Sequence, residues 1–427
     1  MASIIQRPMQ IIGTDRSALT PAPTAERKSD FFRSSAWLMF AVFASGALMW
    51  LVHFLNKFLP KAEYGTLGTL MTAIILVPTL PLQRVFARQT AVAIARNRQK
   101  ELAGMLRLAL AGAFGVWLIG CLVVVSLQNV IIARWHIANP VALWVTLAAI
   151  LPAFLAPLFA GVLQGGQRFK CLGWVMILQG LGRVVAASFF VIVLGTMADG
   201  VMAGVLFGCL AGLGLAMWLT REFWCIRPAP FDRRQFMRQV VPLVVGFACF
   251  QFLFSSDTIF VNAFFNREET AYYFTAGTLS RALVWTVGPL VAVMFPKIVH
   301  SAVRAEKTNL LGVTLLGTGL LVAMGAVGLW LLGPFVIRLV YNPSYVAPTL
   351  QILPWYAGAM VPLCLCAVVV NNLLAKSDFR IVPWLVALAA GYAVALINYH
   401  PNVVVVLQIL GGSCVLMFLV CAWFTWL

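Results

Sequence analysis

The sequence predicts an all-α polytopic membrane protein of about twelve transmembrane helices, arranged as two homologous six-helix halves. Three observations predict it. The first is composition: 62% of the 427 residues are hydrophobic and 10% are charged, with a mean hydropathy of +0.94. Soluble domains carry about 25% charged residues, so this chain cannot cover a water-facing surface, and a soluble enzyme with one packed core is excluded. The second is the length of its apolar stretches. A helix needs about 20 such residues to cross a bilayer, and that ruler gives spans at 35–56, 65–83, 104–127, 139–164, 171–195, 197–220, 240–264, 271–296, 309–332, 349–375, 380–398 and 402–425. The third is a repeat at an offset of 209 or 210 residues. YGTLGTL at 64–70 recurs as YFTAGTL at 273–279, and LQGGQRFKCLGW at 163–174 recurs as LLAKSDFRIVPW at 373–384. Pro152 and Pro362 share the offset.

Because six spans are even in number, both halves enter the membrane from the same side. They should therefore be related by a pseudo-two-fold axis along the membrane normal. The expected layout is a polar, disordered tail over 1–33, a first lobe over 34–220, a linker over 221–239 and a second lobe over 240–427. The tail lacks a stretch suited to a signal sequence, so the first span reads as a retained anchor. The linker, REFWCIRPAPFDRRQFMRQ, sets Phe231, Phe236 and Met237 beside Arg233, Arg234 and Arg238. It reads either as an amphipathic stretch on the cytoplasmic face or as an ordinary connection.

Charge sets the orientation. The formal net charge is +17, which in a soluble protein would suggest nucleic acid. With a cytoplasmic N-terminus, 23 of the 30 basic residues lie in the tail and inner loops, and the outer loops hold only Lys57, Lys61, Arg134, Arg267 and Arg338. That asymmetry is the positive-inside pattern. It predicts cytoplasmic N- and C-termini and assigns the charge to topology, with no nucleic-acid partner.

Charges inside spans are costly and therefore informative. Arg183, Arg281 and Asp257 all fall near mid-depth at about 1.5 Å of rise per residue. Asp257 and Arg281 could form a structural ion pair between adjacent helices. Alternatively, the arginines bind an anionic substrate in a central cavity, with Asp257 tuning it or binding a coupling cation. Arg84 and Arg88, four residues apart at the inner end of the second span, share a helix face and carry the side chain best suited to phosphate. They join Arg183 and Arg281 as candidate substrate-binding residues. Prolines 78, 81, 152, 157, 289, 296, 354 and 362 sit in or beside spans and suit bent helices. His53, His136, His300 and His400 are isolated in the sequence, the nine cysteines show no paired spacing, and no nucleotide-phosphate loop occurs. No catalytic, metal or cofactor site is expected, and the chain does not read as an enzyme.

At the level of motifs the chain resembles the polysaccharide transport branch, the O-antigen and exopolysaccharide flippases, of the MATE-like multidrug/oligosaccharidyl-lipid/polysaccharide flippase superfamily. The resemblance rests on KAEYGTLGTL (61–70), LQRVFAR (82–88), LQGGQRF (163–169), SSDTIFVNAFFNREETAYYFTAGTLSRA (255–282) and MFPKI (294–298). It departs at Ala271-Tyr272-Tyr273, where the family more often has Gly before the Tyr. The resemblance implies a MATE-like fold in the bacterial inner membrane. It also implies a flippase that moves a polyprenyl-pyrophosphate-linked oligosaccharide by alternating access, among membrane lipids and alongside glycosyltransferase and polymerase machinery. A MATE-type ion-coupled drug or cation antiporter, which would want an acidic cavity, is the alternative. A non-transporting envelope scaffold is a third reading.

Overall fold

A computed structural model describes residues 25–284, 310–375 and 379–426, with side chains from residue 36. The chain is all-helical over these residues, and eleven helices are long and apolar enough to cross a membrane. They are α1 (Ala36–Phe58), α2 (Lys61–Ala95), α3 (Gln99–Ser126), α4 (Pro140–Gly165), α5 (Phe169–Val193), α6 (Ala198–Leu219) and α7 (Arg233–Ser255). After α8 come α9 (Leu311–Val340), α10 (Pro343–Leu374), α11 (Phe379–Asn398) and α12 (Val403–Trp426). Helix α8 is described over 267–284; the rest of its predicted span, including Pro289, Pro296 and the MFPKI motif, lies outside the described residues. So do residues 1–24 of the predicted tail and His300, while the backbone from Ala25 is helical.

The ends of these helices follow local chemistry. Asn139 caps α4, its side chain accepting from the Val141 amide at 3.1 Å, with Pro140 in the first turn where no amide is needed. Asp232 caps α7 by accepting from the Gln235 amide at 2.9 Å, so α7 starts seven residues before its predicted span. Helix α2 breaks at 76–78, ahead of Pro78. A single apolar run over 240–264 predicts one span there. Instead α7 stops at Ser255 and a short helix, Asp257–Phe264, follows.

Among the described residues most helix packing lies within the first six helices or within the last six. In the first group α5 packs along α6 and α1, and α4 along α6 and α2; in the second, α10 packs along α12 and α9, and α7 along α11. Small residues set the closest of these contacts. Gly204, Gly208 and Gly212 recur every fourth residue on α6 and face Ala187, Arg183 and Gln179 of α5. A Cβ on Gly208 would sit 2.5 Å from the Gln179 carbonyl oxygen and 2.8 Å from Arg183 Cβ. Small residues in register let membrane helices approach closely. Gly208→Leu is therefore expected to force α5 off α6 and destabilise the protein by about 1–3 kcal/mol, read as an earlier SDS-unfolding midpoint in mixed micelles.

The two groups meet along α2, which packs against α7 and the Asp257–Phe264 helix. Gly65 and Gly68 of the repeated element make that approach possible. A Cβ on Gly65 would lie 2.9 Å from the Arg267 carbonyl oxygen, and one on Gly68 would overlap the Phe274 ring.

Candidate functional site

The polar residues between the helices fall into four groups, and the first is built around the break in α7. Ending a helix at mid-membrane leaves carbonyls without amide partners, which is tolerated only where protein supplies donors. Arg281 of α8 supplies them. Its Nε donates to the Phe254 carbonyl at 3.1 Å and its Nη2 reaches the Ser255 carbonyl at 3.5 Å. The same Nη2 donates to Asp257 Oδ1 at 2.6 Å and to Thr258 Oγ1 at 3.0 Å. The second carboxylate oxygen of Asp257 accepts from the hydroxyl of Tyr273 at 2.8 Å and from that of Tyr356. The guanidinium lies over the Phe254 and Tyr356 rings, 5.7 and 5.5 Å from their centroids. Asp257 is fully buried and Arg281 nearly so. Asp257 and Arg281 thus form an ion pair whose carboxylate has donors on both oxygens.

Tyr273 and Tyr356 are site residues that the charge pattern alone does not reveal. Tyr273 belongs to the repeated element, and Gly277 of the same element leaves room for Tyr356, whose hydroxyl would lie 2.9 Å from a Cβ there. The repeat is the signal that points to Tyr273; Tyr356 comes to the site only through the fold.

Arg183 of α5 lies in the other half with a different environment. Its Nη2 faces Met71 Sδ of α2 at 3.4 Å, and its buried Nε has no hydrogen-bond partner among the described residues. No carboxylate lies within ion-pair distance of it among the described residues. One turn earlier, the Gln179 amide reaches only the Cys209 sulfur, at 3.7 Å. Thioethers and thiols are weak acceptors, so this half-buried cation faces groups that do not neutralise it.

Arg84 sits at the seam between the halves. It donates to Asn371 Oδ1 of α10, and its guanidinium lies 5.6 Å from the centroid of the Phe247 ring of α7. Arg88, one turn on, is exposed. The structure thus brings Asp257 and Arg281 together, holds Arg183 apart in the first half, and places Arg84 but not Arg88 in a half-buried contact across the seam.

The opposite end of the seam is closed by phenols. Tyr64 hydroxyl lies 2.8 Å from His53 Nδ1 and 3.0 Å from the Tyr341 hydroxyl, and Asn56 Nδ2 donates to the Tyr345 hydroxyl at 3.1 Å. Lys61 Nζ donates to the Tyr272 hydroxyl at 2.8 Å, and Tyr272 in turn donates to Glu268. His53, isolated in sequence, gains its partner only in the fold. Removing one neutral hydrogen bond costs about 1 kcal/mol net. Tyr64→Phe is therefore expected to shift the closed–open balance at this end about fivefold toward open, seen as faster labelling of a cysteine placed at Asn56.

Against known proteins, no family model and no curated sequence matches the chain. Solved structures do match. An inward-facing MATE multidrug resistance transporter of the MOP superfamily aligns with TM-score 0.66 at 12% identity, covering 88% of this chain and 93% of that one. The lipid II flippase MurJ in an inward closed conformation aligns with TM-score 0.67 at 14% identity, covering 91% and 87%. The fold is that of the MOP-superfamily transporters. A third MOP structure, from Pyrococcus furiosus, aligns with TM-score 0.62 at 14% identity over 92% of this chain and 95% of its own, and is described as having a binding pocket of reverse polarity. These MOP structures are transporters and flippases, none of them an enzyme. The chain is accordingly a multi-pass membrane protein with a MATE-like fold.

Proposed function

We propose that the chain is a flippase that carries an anionic lipid-linked oligosaccharide, a polyprenyl-pyrophosphate sugar, across the bacterial inner membrane for polysaccharide biosynthesis. The two lobes, 34–220 and 240–427, rock about the linker with both termini cytoplasmic. The observation that carries this reading is Arg183, a half-buried guanidinium within a span, with a sulfur on one nitrogen and no hydrogen-bond partner on another among the described residues. An unneutralised ion of that size in a low-dielectric interior costs several kcal/mol, and a pyrophosphate entering beside it removes much of that cost. Arg84, which contacts Asn371 and Phe247 across the seam, is the second cation assigned to the anion in this reading.

The second reading, a cation or drug antiporter, would need an accessible carboxylate. Asp257 is the one buried carboxylate among the described residues, and both its oxygens are already engaged. The test is binding of undecaprenyl-pyrophosphate-linked oligosaccharide to the purified protein, compared with a lipophilic cation, by native mass spectrometry. The expected result is retention of the oligosaccharide lipid by the wild type and its loss in Arg183→Ala. Binding of the cation that survives Arg183→Ala and disappears in Asp257→Asn would overturn it in favour of the antiporter.

A further inference from the structure

The linker between the halves carries a second basic surface that plays no part in the substrate site. Its first residues, Arg221–Trp224, are helical, the chain then runs without helix to Asp232, and the rest of the linker forms the first turns of α7. That stretch is nevertheless fixed to the first half. Arg107 Nη2 donates to the Trp224 carbonyl at 3.2 Å and the Ile226 carbonyl at 2.9 Å, and the Ala229 amide donates to the Lys100 carbonyl at 2.9 Å. Phe231 packs against Gly104 and the buried Phe236. From this scaffold Arg227, Arg233, Arg234 and Arg238 are all exposed, and none has an ion pair among the described residues. The two acids nearby are occupied: Glu222 pairs with Arg168, and Asp232 caps α7.

The first turns of α7 place this charge at a defined depth. Phe236 faces inward, while Arg234, Met237, Arg238 and Val241 form the exposed face. Arginines at the polar end followed by Met and Val on the same face are the order that a headgroup layer and then acyl chains would meet. At the end of α6, exposed Trp218 lies under the Arg221 guanidinium, 5.8 Å from ring centroid to cation, and marks the same interfacial level.

We propose that this surface docks anionic phospholipid headgroups. Arg227 on the pinned linker and Arg233, Arg234 and Arg238 on the second half share the phosphates, so that bound lipid bridges the joint about which the halves move. The occupant is a lipid because the charges stand beside exposed apolar side chains at the end of a membrane helix, and its sign follows from four unpaired cations against a single unpaired carboxylate nearby, that of Asp232, among the described residues. The test places the full chain in nanodiscs of phosphatidylcholine with a minor fraction of phosphatidylglycerol and counts phosphatidylglycerol molecules retained by native mass spectrometry. The triple variant Arg233→Gln, Arg234→Gln, Arg238→Gln is expected to bind phosphatidylglycerol at least about tenfold more weakly, since each basic residue near an anionic surface contributes several-fold. Arg227→Gln alone should lose about fivefold. A control variant that removes Lys57, Arg134 and Arg338, exposed at the opposite ends of their helices, should bind as the wild type does. Equal loss in the control, or no loss in either linker variant, would overturn the proposal.

Discussion

Arg281→Met is expected to destabilise the protein by about 3–5 kcal/mol, because it leaves the buried Asp257 carboxylate without its counter-ion. The loss extends beyond the ion pair. The same side chain satisfies the Phe254 and Ser255 carbonyls where α7 breaks, and each orphaned buried acceptor adds about 1–3 kcal/mol. Two consequences separate this account from a simple ion pair. Arg281→Lys should fail to restore stability fully, since one ammonium cannot span the carboxylate and both carbonyls as a planar guanidinium does. The exchanged variant Asp257→Arg, Arg281→Asp should also fail, because an aspartate at 281 has nothing to donate to the broken helix. SDS unfolding of the purified variants measures all three. Full recovery in the exchanged variant would show that charge pairing alone matters there.

Arg183→Met is expected to have the opposite sign on stability and the larger effect on function. Replacing a half-buried, unneutralised charge with an apolar side chain of similar reach removes its desolvation cost and stabilises by about 1 kcal/mol or more. In the same variant, binding of the pyrophosphate-linked lipid and its transport in proteoliposomes should fall to background. Arg183→Glu should abolish transport as well, by repelling the anion. A gain of stability together with a loss of transport is the mark of a residue kept for its ligand at the expense of the fold. If Arg183→Met instead destabilises the protein as Arg281→Met does, Arg183 has a structural partner and the anion reading fails.

The contrast between these two arginines shows how much was legible in the sequence. Both stand out as cations in apolar spans, and the sequence leaves each open to a structural or a substrate-binding role. The fold separates their surroundings by placing α8 beside the break in α7, so that Arg281 reaches Asp257 across 24 residues of sequence, while Arg183 faces Met71 across 112. The repeat is more informative than its loose identity suggests. Tyr64 and Tyr273 occupy matching positions, and each projects its hydroxyl into a buried polar group, His53 in one half and Asp257 in the other. What the repeat does not reveal is the difference between those partners. Asn371 and Tyr356 were equally hidden, because α10 carries no charged residue and nothing in its sequence marks which of its polar side chains face the seam. The break in α7 was also missed, since an apolar run records that a segment is buried and not whether it is one helix or two.

By itself the sequence determined that this is a helical membrane protein, roughly where its spans lie, and which few charges stand inside them. Those properties follow from transfer free energies, which act residue by residue and leave their mark in composition. Only the tertiary structure decided which charge within the spans is neutralised and which is not, because an ion's cost in a low-dielectric interior depends on the atoms within a few ångströms of it. Those atoms come from helices distant in the chain. In the second half they cancel the charge of Arg281; in the first they leave that of Arg183 standing.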